Sequence, residues 1–96
     1  MNVLQHNSEI GRVVYSKAGR DAGRYYIITS VLNEEYVYIC DGALRKIENP
    51  KKKKVKHLNL TDKYTDEIRE AIFSGLKVSN SQIKKFLRSE DINKEV

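Results

Sequence analysis

The sequence predicts a mainly β chain: a small antiparallel barrel or curled sheet, followed by a short two-helix extension. Three observations carry this. Short runs of β-branched and aromatic residues separated by tight turn signals fill the first 60 residues. Apolar residues recur at helical spacing only after Asn59. All of the excess positive charge lies in the β-rich part: residues 1–60 hold 11 Lys/Arg and 6 Asp/Glu, and residues 61–96 hold 7 of each.

Gly11 to Ser16 reads as the first strand, with Val13, Val14 and Tyr15 as β formers. Lys17 to Gly23 is a loop whose Gly19 and Gly23 shape a tight turn. Arg24 to Leu32 is a second, longer strand. Asn33-Glu34-Glu35 is a polar turn, and Tyr36 to Cys40 a third strand, hairpinned to the second. Asp41-Gly42 signals a further turn. Leu44 to Ile47 is expected as a brief fourth strand, Lys51 to Lys54 as a charged loop after Asn49-Pro50, and Val55 to Leu58 as a short fifth strand.

Tyr64, Ile68, Ile72 and Leu76 recur every four residues and predict one helical face, with Thr65 or Asp66 as cap and a helix over 66–76. Ser79 and Gln82 fit a capping box for a second helix over 81–88, with Ile83, Phe86 and Leu87 as its stripe. Helices this short are marginal alone, so they are expected to pack on the sheet or on each other. The resulting division is 9–60 for the barrel and 61–91 for the helical extension, with 1–8 and 92–96 as flexible termini.

Composition narrows the function. Ninety-six residues with net charge +5 and 32% charged residues describe a small, highly soluble domain. No apolar run approaches the ~20 residues that cross a bilayer. Residues 1–10 lack the apolar core of a signal peptide, so a cytoplasmic location is expected. Cys40 is the single cysteine, and His6 and His57 show no metal-ligand spacing. No P-loop, dinucleotide or nucleophile-elbow motif is present, so neither an enzyme, a cofactor, a metal nor a small-molecule substrate is expected. Cys40 fits a buried strand residue better than a nucleophile.

Two basic elements point to a polyanion. The glycine loop projects Lys17, Arg20 and Arg24 from a sheet rim, with Asp21 between them as a pairing partner for Arg20 or Arg24. Between residues 45 and 57, seven cations (Arg45, Lys46, Lys51, Lys52, Lys53, Lys54 and Lys56) stand against Glu48 alone. Such a cluster repels itself unless a counter-charge is expected. Arg45 and the lysines at 51–54 and 56 are therefore assigned to phosphate contact with Lys17, Arg20 and Arg24. Lysines are point charges, so they add affinity rather than sequence choice. Alternation places Val37 and Ile39 inward and Tyr36 and Tyr38 outward. There the tyrosines either line a nucleic-acid surface or receive the helices; the helices' need for an apolar dock favours the second.

The stretch from Ile10 to Ile28 also resembles the KOW motif of ribosomal and transcription-associated RNA-binding proteins. Gly11, Val13, Val14, Lys17, Gly19, Gly23, Ile27 and Ile28 fit its pattern in order. The phrase from Gly11 to Gly23 is most similar to KOW proteins of the archaeal and eukaryotic large ribosomal subunit. Lys56-His57-Leu58 is similar to the close of that domain. The resemblance covers roughly Ile10 to Leu60 and implies an SH3-like barrel. It further implies binding to structured, ribosomal RNA in translation or ribosome assembly, with ribosomal proteins as further partners. The neutral helical third departs from the long basic tails of subunit-embedded proteins, so a ribosome-associated or assembly factor fits as well as a resident one. The alternative is an SH3-like protein-interaction module of a transcription- or translation-associated complex, whose basic loops meet an acidic protein face.

Overall fold

The computed structural model describes residues 8–89. The expected flexible ends lie outside the described residues, apart from Ser8, as does His6. Five strands, β1 (Arg12–Ser16), β2 (Tyr25–Val31), β3 (Tyr36–Cys40), β4 (Lys51–Lys54) and β5 (Leu58–Tyr64), form one antiparallel sheet of order β4-β3-β2-β1-β5. A single 3-10 turn, Val55–His57, carries the chain from the β4 edge to the β5 edge. A crossing that short requires the sheet to curl, and the result is SH3-like. Two helices follow, α1 (Asp66–Phe73) and α2 (Asn80–Ser89).

The sheet is buried on both faces at its centre. Val14, Tyr26, Ile28, Val37, Ile39 and Leu58 fill the concave interior. Val13, Ile27 and Cys40 lie on the other face beneath Ile68, Val78, Ile83 and Leu87. Val13-Val14 and Ile27-Ile28 are thus apolar doublets because each strand feeds two cores, the pattern of a strand covered on both sides. Both caps form as expected. Thr65 Oγ1 accepts from the Ile68 amide at 3.4 Å. The Ser79 amide donates to Gln82 Oε1 at 2.9 Å, and the Gln82 amide donates to Ser79 Oγ at 3.1 Å.

Several expectations are corrected. Leu44 to Ile47 is not a strand. Asp41 Oδ1 accepts from the Ala43 and Arg45 amides, both at 2.9 Å, which winds this segment into turns and leaves Leu44 66% exposed. Lys51–Lys54 is not a loop but β4, in register with Tyr36 to Ile39 of β3. Strand propensity disfavours four lysines, but pairing to an apolar neighbour overrides it. Val55–His57 is the 3-10 turn, and β5 begins at Leu58 and runs to Tyr64, so Tyr64 closes a strand instead of opening the helical stripe. Helix α1 ends at Phe73, where the Gly75 and Leu76 amides bond back to the carbonyls of Ile72 and Ala71. Leu76 is left 66% exposed.

The helices do not dock on Tyr36 and Tyr38. Thr65 alone connects β5 to α1, and its amide is held by the Gly11 carbonyl at 2.9 Å. So short a link reaches only the β5–β1–β2 side, where Val13 and Ile27 wait. Helix α2 then buckles the 41–50 segment: Asn80 Oδ1 accepts from the Ile47 amide at 2.7 Å, and Asn80 Nδ2 donates to Glu48 at 2.9 Å. That bond holds the Glu48 carboxyl below its ordinary 4.5. Asn80→Ala is expected to destabilise the fold by about 1 kcal/mol through the orphaned Ile47 amide. It should also return Glu48 upward toward 4.5. Chemical denaturation and an NMR titration of Glu48 check both effects.

Candidate nucleic-acid interface

The glycine loop is fastened from beneath. At its neck the Ser16 amide donates to the Arg24 carbonyl at 3.0 Å and the Gly23 amide to the Ser16 carbonyl at 2.8 Å. Inside it, Lys53 of β4 reaches through the barrel mouth, and its Nζ lies 2.7 Å from Asp21 Oδ1, both side chains only 6% exposed. Lys53 also donates to the Ala18 carbonyl. Ser16 Oγ donates within 3.2 Å to Asp21 Oδ1, and the Tyr26 hydroxyl donates to the Asp21 carbonyl at 3.3 Å.

The backbone turns at Gly19 with φ +89° and at Gly23 with φ +88°. A Cβ on Gly19 would stand 2.9 Å from Lys53 Nζ, so the staple itself requires glycine there. At Gly23 a side chain meets open space, and only the positive φ disfavours it.

This staple revises two expectations. Asp21 pairs with Lys53, not with Arg20 or Arg24. Its negative charge is therefore cancelled below the surface, and the exposed Lys17 and Arg20 keep their full field. Lys53, assigned above to phosphate contact, is a buried structural residue and is withdrawn from that surface. The parity becomes legible only once β4 and its register are known: opposite Val37, Lys53 shares the inward side of the strand.

The other cations are placed as follows. The Lys17 amide donates to the His57 carbonyl at 3.0 Å, which sets the exposed Lys56 turn against the start of the glycine loop. Arg24, 41% exposed, donates from Nη2 to Asp41 Oδ2 at 3.3 Å. The Arg45 carbonyl accepts from the Asp41 and Gly42 amides and the Arg45 amide donates to Asp41 Oδ1 at 2.9 Å, so the Asp41 carboxylate ties the Arg24 guanidinium to the backbone of Arg45. Lys51 is half-buried on the inward parity of β4. Lys52 and Lys54 occupy the outward parity, opposite Tyr38 and Tyr36, with their ammonium groups 4.7 Å and 5.9 Å from the Tyr36 ring centroid. The predicted cations thus fall into a pole built by Lys17, Arg20 and Lys56, an Arg24–Arg45 flank, and a separate aromatic face on β3–β4.

Among the described residues no cluster of three His, Cys, Asp or Glu side chains has the arrangement of a metal site. No described helix is long and apolar enough to cross a membrane. Cys40 is fully buried, and burial, reinforced by the Asp41 and Glu48 carboxylates, pushes its thiol up to about 12. A thiol so placed is a packing group, not a nucleophile.

No family model matches the chain. It is 36% identical over 55 residues to the large ribosomal subunit protein eL14 of Desulfurococcus amylolyticus, across 57% of this chain and 57% of that protein. It is 34% identical over 71 residues to the large ribosomal subunit protein eL14 of Methanococcus maripaludis, across 74% of this chain and 86% of that protein.

Proposed function

This chain belongs to the eL14 family of large ribosomal subunit proteins, and from that premise we propose that it binds structured RNA, ribosomal RNA first, as a cytoplasmic ribosome-associated or assembly protein. Ribosomal proteins are its expected neighbours, and no chemical step is assigned to it. The observation that carries the reading is the Lys53–Asp21 staple, which consumes the one acid of the glycine loop internally. What remains at the rim is a held loop presenting Lys17 and Arg20 beside Lys56, with Arg24 and Arg45 on its flank. A preformed cationic turn meets a phosphate backbone with little ordering cost, and the backbone's shape, not its base sequence, is what it reads.

The test is a salt titration of binding to purified ribosomal RNA and to a random RNA of equal length. If about five phosphates are neutralised, the log–log slope is about −3.5 to −4.5. Tighter binding to ribosomal RNA at every salt concentration is the expected result. Binding no stronger than that of an unrelated protein of equal charge would overturn the reading and direct the search to an acidic protein partner.

A further inference from the structure

The outward face of β3–β4 is left uncovered by the helices, and its composition is specific. Tyr38 stands opposite Lys52 and Tyr36 opposite Lys54 on the same side of the sheet. The layer formed by α1 and α2 covers Val13, Ile27 and Cys40, so on β3 it stops at Cys40. Both tyrosines are half-buried, Lys52 is exposed and Lys54 half-buried. Two ammonium groups stand over the Tyr36 ring, at 4.7 Å and 5.9 Å from its centroid. Strand β4 is the edge strand of the sheet, so the patch lies along that edge.

We propose that this face is a second RNA-binding surface, taking an unpaired segment whose bases stack on Tyr36 and Tyr38 while Lys52 and Lys54 hold its phosphates. The inference rests on the RNA-binding reading and adds single-stranded RNA to it. Residues two apart on a strand lie about 6.8 Å from each other. That is about twice the 3.4 Å rise of stacked bases, so neighbouring bases have room to settle on the two rings. In the free protein the lysines cap the Tyr36 ring. On binding they swing to phosphate and a base takes their place, an exchange favoured because base–aromatic stacking outweighs an exposed cation–π contact. The lysine charges repel a basic partner and cost desolvation energy against an apolar one, so they favour an anionic one. The two surfaces then differ in kind: the loop pole reads folded RNA by its backbone, and the tyrosine face reads loops or ends where bases are unstacked.

The experiment uses an adenosine octamer, an abasic octamer with the same ribose–phosphate backbone, and structured ribosomal RNA. Each is titrated into the wild-type chain, into Tyr36→Leu/Tyr38→Leu and into Lys17→Glu/Arg20→Glu. In the wild type, NMR of the tyrosine rings also reports stacking directly, which guards against a tyrosine variant that folds poorly. The expected result is about tenfold or greater loss of adenosine octamer binding in the tyrosine variant, with upfield ring shifts in the wild type. The loop variant should retain most octamer binding, and the abasic octamer should bind weakly to all three. Equal binding of the adenosine and abasic octamers, or ring signals that stay still, would overturn the stacking site while structured RNA binding survives. Loss of both octamer and ribosomal RNA binding in the wild type would instead remove the RNA-binding reading and this inference with it.

Discussion

Lys53→Met is expected to cost about 3–5 kcal/mol of stability, because it leaves Asp21 a buried carboxylate without its cation. For a domain of this size each kcal/mol lowers the melting temperature by about 4–8 °C, so the drop should exceed about 12 °C. The double variant Asp21→Asn/Lys53→Met should recover most of that loss, since removing both charges together removes the desolvation penalty as well. Thermal unfolding of the wild type, both single variants and the double variant closes the cycle. A single Lys53→Met that melts with the wild type would show the pair to be incidental. Acid titration gives an independent reading. Burial alone raises the Asp21 carboxyl, but the Lys53 hydrogen bond and charge, with the Ser16 hydroxyl, outweigh it and hold the group below its ordinary 3.8. The folded value is the lower one, so the pair's contribution is complete above the ordinary value. It disappears as pH falls below about 3.8 through the lowered folded value.

The second large effect concerns binding. Lys17→Glu/Arg20→Glu is expected to weaken ribosomal RNA binding on the order of 100-fold at physiological salt and to make the salt slope shallower by about 1.4–1.8. Both side chains are exposed, so stability should shift by no more than about 0.5 kcal/mol. The control is Lys85→Glu/Arg88→Glu, which changes net charge equally from two exposed positions on α2. A comparable loss of affinity from the control would mean that net charge, not the glycine loop, holds the RNA.

These two experiments separate roles that look alike in the sequence. Lys51 to Lys54 read as four equivalent cations, yet strand pairing sends Lys53 inward to Asp21 and Lys52 and Lys54 outward to Tyr36. Tyr36 and Tyr38 read as a dock for the helices, yet the single-residue link at Thr65 confines α1 to the β1 side, and the cluster that the helices cover takes in Val13, Ile27 and Cys40 without either tyrosine.

The sequence by itself determined the β-then-α order, the three leading strands, the glycine loop, a helix cap at Thr65 or Asp66 and the Ser79–Gln82 capping box. Each depends on residues within a few positions of one another, where propensity, alternation and capping act directly. It also determined the charge asymmetry and, through the glycines and apolar doublets of 10–28, the family resemblance. Only the tertiary structure decided that the lysine run is a strand, that Asp21 and Lys53 neutralise each other, and that Asn80 ties α2 to the 41–50 turns. The last two join residues more than 30 positions apart, and the strand pairs residues 12 to 18 apart. They arise from the burial of charge and the completion of a sheet edge, which no local pattern encodes.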